Sequence, residues 1–66
     1  MIGKIKWFNL DKGYGYIIGY DDTTYYFEVN NLLCDIKDIK QNVEVKFIPN
    51  SYTYVEYADS VDIYNE

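Results

Sequence analysis

The sequence predicts an all-β protein, a small closed barrel of five short antiparallel strands, and three observations carry that expectation. Apolar residues recur at every second position and not at a helical spacing. Clusters of Gly, Asn, Asp and Ser cut the chain into short runs. The whole chain has 66 residues, one domain (1–66), of a size that buries only roughly 60% of its unfolded surface. Closure removes the unpaired edges that an open sheet this small would present.

In Lys4-Ile5-Lys6 the isoleucine is expected to face in and both lysines out, and Trp7-Phe8 then breaks the alternation. Such a break marks a bulge or twist that exposes at least one of the two rings. Asp11-Lys12-Gly13 is turn chemistry, with Gly13 free to take a positive φ. From Tyr14 to Tyr20 the alternation is regular: Tyr14, Tyr16, Ile18 and Tyr20 share one face, and Gly15, Ile17 and Gly19 the other. A third strand spans Tyr25–Val29 after the polar turn Asp21-Asp22-Thr23, with Tyr26 and Glu28 on one face and Tyr25, Phe27 and Val29 on the other. Asn30 to Leu33 suits a capped helical turn, and Cys34 to Gln41 a charged loop pinned by Ile36 and Ile39. Asn42 suits a left-handed position before a fourth strand, Val43–Ile48, whose Val43, Val45 and Phe47 face in. Pro49-Asn50-Ser51 is read as its end, and Tyr52 to Ile63 as a fifth strand with an irregular start.

Composition excludes several classes. A lone cysteine, Cys34, rules out an internal disulfide, and without histidine there is no zinc site of the usual Cys/His kind. No leader pattern and no apolar run near ~20 residues is present, so the expectation is a cytoplasmic protein without a membrane partner. The net charge of −5 argues against a protein that grips its ligand mainly by charge. Distribution qualifies that sum, because Lys4, Lys6 and Lys12 precede most of the acids and Asp11 is the only acid among them. Lys37, Lys40 and Lys46 read as solvated charges. AT-rich codon usage accounts for much of the composition, but not for nine Tyr against three Phe. That preference suggests rings that reach solvent or a polar ligand.

The positive end coincides with an aromatic one. Trp7, Tyr14 and Tyr16 stand beside Lys6 and Lys12, which is what a single-strand binder needs: rings for the base faces and cations for the phosphates. Alternate tyrosines could equally cover the outside of a barrel, since aromatics are ordinary strand formers. Phe8 is read either as the edge of the platform or as barrel packing. The Gly13-Tyr14-Gly15 triplet lacks the helix and lysine context of a phosphate loop.

The same residues carry a family resemblance. Gly3-Lys4-Ile5-Lys6-Trp7-Phe8-Asn9 resembles the G-x-[VI]-K-W-F-N strand of bacterial cold-shock proteins, and Lys12-Gly13-Tyr14-Gly15-Tyr16-Ile17 resembles their first RNA-binding motif, K-G-[FY]-G-[FY]-I. Tyr25 to Val29 lies at the spacing of the second motif, V-F-V-H-F, and weaker matches at Asn42-x-x-Val45-x-Phe47 and Ala58 to Val61 extend the likeness over the chain. The resemblance implies an OB-type barrel that binds single-stranded RNA or DNA and acts as an RNA chaperone. It implies stacking by Trp7, Tyr14, Tyr16 and Tyr26, with Phe8 at the platform edge and Lys6 and Lys12 near the phosphates.

The departures lie in the second motif, where Glu28 replaces the family's histidine and Val29 its phenylalanine. Losing two stacking partners, each contributing roughly 1 to 3 kcal/mol, lowers the expected affinity unless other tyrosines compensate. Tyr52 and Tyr54 are candidates. Glu28 either repels phosphates or reads a base edge, since a carboxylate accepts from amino groups such as that of cytosine. A catalytic role has no support, because no histidine, paired carboxylate or metal cluster accompanies it. No enzyme, cofactor or small-molecule substrate is expected. A monomer is expected, with strand exchange the route to a dimer. The rival reading is a barrel of this kind whose acidic, tyrosine-rich face serves a protein partner.

Overall fold

The computed structural model describes residues 1–65. Its five strands are β1 (Ile2–Asn9), β2 (Tyr14–Gly19), β3 (Thr24–Glu28), β4 (Glu44–Tyr52) and β5 (Val55–Ile63). They form a closed barrel in the order β1-β2-β3-β5-β4, with β4 returning to pair with β1. Four of the pairings are antiparallel, but an odd ring cannot alternate direction all the way round. The seam therefore falls between β3 and β5, which run parallel with Tyr26 opposite Tyr57.

The pleat sorts the side chains much as the alternation predicts. Ile5, Ile17, Tyr25, Phe27, Val45, Phe47, Ala58 and Val61 fill the interior, and Ile39 closes it from the loop before β4. Gly15 and Gly19 are buried on β2 behind the outward tyrosines. Asn42 adopts φ 73° ahead of β4, and Gly13 the same φ in the β1–β2 turn, as their residue types suggest.

Several boundaries differ from the sequence reading. β4 does not stop at Pro49 but continues to Tyr52, paired along its length with β5. Proline is tolerated because β4 leaves β1 after Lys46, so its other side is an edge that needs no donor. Tyr52 thus ends β4, and Tyr54 sits in the tight turn that leads into β5. Val43 is only half-buried, packed against the core just before β4. Val29 does not face in with Tyr25 and Phe27 but is 39% exposed, because the chain leaves the sheet after Glu28. The helical turn begins there as a 3-10 turn, Val29–Asn31, in which the Asn31 side chain accepts from the Glu28 amide at 2.9 Å. A second such turn, Ile36–Asp38, lies within the charged loop and is capped by Asp35. Among the described residues no helix is long and apolar enough to cross a membrane.

Candidate nucleic-acid interface

A bulge decides which rings face solvent. Ile5 pairs with Ile17 while Trp7 pairs with Tyr16, so β1 carries one extra residue, Lys6, between them. Strict alternation from inward Ile5 would send Trp7 into the barrel and Phe8 out of it. The extra residue reverses both: Lys6 and Trp7 are exposed in succession, and Phe8 turns inward. Phe8 stacks on the core ring of Phe27 at 5.7 Å and 8°.

Trp7 thereby joins the outward tyrosines of β2 and β3. Its ring lies 5.3 Å from Tyr14, edge to face, and 6.0 Å from Tyr16 at an interplanar angle of 28°. Tyr26 stands 5.7 Å from Tyr14 and 5.9 Å from Tyr16, so the four rings form one patch across β1, β2 and β3. Trp7 is 42% and Tyr16 37% exposed, which leaves their faces available to a flat ligand. Close approach of the strands beneath depends on Gly15, because a Cβ there would strike the Trp7 carbonyl oxygen and lie 2.9 Å from Phe8 Cα.

Lys6 is exposed next to Trp7, and Lys12 is exposed in the β1–β2 turn, whose geometry is set by Lys12 N–H donating to Asn9 Oδ1 at 2.9 Å. Among the described residues the ion pair formed is Lys37 with Asp35, at 3.6 Å, so neither platform lysine is neutralised by an acid. Glu28 lies across the ladder from Tyr14 and accepts from the Tyr26 hydroxyl at 3.0 Å. Burial first, and then this carboxylate, push the Tyr26 phenol above its ordinary range.

Of the residues expected at the site, the fold brings Trp7, Tyr14, Tyr16, Tyr26, Lys6 and Glu28 onto one face, places Lys12 in the adjoining turn, and turns Phe8 toward the core. Sequence reading passed over Tyr57 and Val55. They reach the site through the parallel seam, a pairing between distant segments that no local pattern announces. With Tyr52 they line an open groove of about 440 Å³ beside Tyr26 and Glu28. Tyr54, 97% exposed at the hairpin turn, is not one of its walls.

A five-stranded barrel with an aromatic patch on the outside of β1 to β3 defines a class of small OB-type domains. No family model matches the sequence. The chain is similar to cold shock protein 1 of Lactiplantibacillus plantarum (strain ATCC BAA-793 / NCIMB 8826 / WCFS1), with 37% identity over 46 residues that cover 68% of this chain and 70% of that protein. The chain belongs to the cold-shock protein family.

Proposed function

We propose that this barrel binds single-stranded RNA or DNA, stacking bases on Trp7, Tyr14, Tyr16 and Tyr26 while Lys6 and Lys12 attract the backbone. The observation that carries the reading is the mutual contact of four outward rings beside two unneutralised lysines. A merely structural surface has no need of that mixture. Stacking is tolerant of sequence, so the protein discriminates weakly between strands. A base held on the platform cannot pair, and the protein melts weak RNA structure as a cytoplasmic, monomeric chaperone without cofactor or catalysis. Affinity is modest, since Glu28 and Val29 supply no ring where the family's motif has two.

A second reading has its own support. Val29 is exposed at the platform edge, Glu28 is anionic and the net charge is −5, a combination that also suits a protein partner. Trp7 fluorescence separates the two: quenching by a short pyrimidine oligonucleotide supports stacking, whereas its absence at low salt favours the protein-binding surface.

A further inference from the structure

We propose that the groove between Tyr26 and the β4–β5 hairpin is a second base subsite, selective for a nucleobase bearing an exocyclic amino group. The inference rests on the platform binding single strands and adds where the next base goes and what it must carry.

The groove is continuous with the platform because Tyr26 belongs to both. On one side Tyr26 touches Tyr14 and Tyr16; on the other it lies opposite Tyr57 across the parallel seam. Beyond Tyr57, Tyr52 is 74% and Val55 51% exposed along the same wall. A strand leaving the platform over Tyr26 therefore meets further aromatic and apolar surface, beside Glu28, which provides no ring where the family's motif has one. At about 440 Å³ the groove falls within the size range of small-ligand sites.

Its charge disfavours a phosphate, and beside Glu28 the amide of Asn30 and the hydroxyls of Tyr52 and Tyr57 supply further polar groups for a base edge. No lysine lines it among the described residues, and its one charged wall is Glu28. Asn31 is already committed, accepting from the Glu28 amide at 2.9 Å and donating to Asp59 Oδ1 at 3.5 Å. Glu28 keeps acceptor capacity, since an ionised carboxylate has about four lone-pair sites and the Tyr26 hydroxyl and the Asn31 backbone N–H occupy two. Its neighbour Tyr26 also fixes the carboxylate at the groove mouth. An unfilled acceptor flanked by rings fits the N4 amino group of cytosine and is mismatched with O4 of uracil, an acceptor facing an acceptor.

Trp7 quenching can test this with strands of two lengths. A uridine tetramer covers the platform, and hexamers extended by UU or by CC, at either end, reach the groove. One of the two CC-extended hexamers is expected to bind roughly tenfold tighter than the all-uridine hexamer, within the range of discrimination by a polar base contact. Glu28→Gln removes that difference between hexamers. Tyr52→Ala, at an exposed position, removes the gain on lengthening and leaves tetramer affinity unchanged. Equal affinity for all hexamers, or a gain that survives Tyr52→Ala, overturns the subsite while leaving the platform intact. No quenching by the tetramer or any hexamer at low salt instead overturns the stacking reading on which the subsite depends.

Discussion

The Tyr26 hydroxyl donates a hydrogen bond to Glu28 Oε1 at 3.0 Å, joining the ring that ends the aromatic patch to the carboxylate that replaces a ring in the family's motif. Glu28 is thereby a held acceptor and not a freely swinging surface charge. Its side chain also sits at the start of the Val29–Asn31 turn, where the Asn31 side chain returns a bond to the Glu28 backbone.

Glu28→Gln keeps an oxygen for Tyr26 but adds a donor where the carboxylate only accepts. Titration of short homopolymers against both forms is expected to show the ranking move toward uracil and thymine relative to cytosine, by about 1 kcal/mol, the low end of discrimination by a polar base contact. An unchanged ranking with uniformly tighter binding would mean that Glu28 merely repels phosphates.

Truncating any one ring of the patch to alanine should weaken single-strand binding by roughly 1 to 3 kcal/mol, while Tyr14→Phe and Tyr16→Phe should change it little. Because the rings touch one another, the Tyr14→Ala and Tyr16→Ala losses should not add in the double variant. Isothermal titration of the set checks both statements. Phe8→Ala should act differently, lowering the melting temperature more than the affinity of the folded protein, since that ring lies against Phe27.

Gly15→Ala tests the barrel beneath the platform. The added Cβ meets backbone, the Trp7 carbonyl oxygen and Phe8 Cα, and lies 3.0 Å from Phe27 Cζ, so relief requires β1 and β2 to separate. Overpacking of this kind costs about 1 to 3 kcal/mol or more. In so small a domain that is expected to leave a large unfolded fraction at 37 °C, visible by circular dichroism. A native melting curve would contradict the close strand approach.

Stability should fall at both ends of the pH scale. The Tyr25 hydroxyl, donating at 2.8 Å, holds Asp21 below its ordinary value of 3.8. The folded value is the lower one, so this stabilisation is present above the unfolded value and is lost as pH falls through the folded one. Tyr25 is raised by the same bond and by burial, and Tyr26 by burial and Glu28. Their stabilisation is full below the ordinary phenol value of about 10 and is lost as pH rises through the raised values. Melting temperatures across pH should show both limbs, with Asp21→Asn flattening the acid one. An acid limb unaffected by that substitution would remove Asp21 from the account.

Much of this was legible because the informative residues are close in sequence. Trp7, Tyr14 and Tyr16 lie on two adjacent strands joined by a tight turn, so period-two alternation and one expected bulge suffice to put them on a common face. The fate of Phe8 was undecided for the same reason, since whether it turns in depends on which residue the bulge inserts. Pro49 misled because a proline marks an edge as well as an end, and only the β1–β4 pairing, which stops at Lys46, shows that β4 is an edge there. Tyr52, Val55 and Tyr57 join Tyr26 through a parallel contact between β3 and β5, which is set by barrel closure and leaves no periodic signature in either segment.

The most direct test of base stacking is a Trp7 fluorescence titration with a short pyrimidine oligonucleotide, repeated over a series of salt concentrations. Stacking with Lys6 and Lys12 as the phosphate contacts predicts saturable quenching and a slope of log affinity against log salt of about −1 to −2, at ~0.7 per contact for single strands. No quenching at low salt, or a slope steeper than about −3, would contradict it.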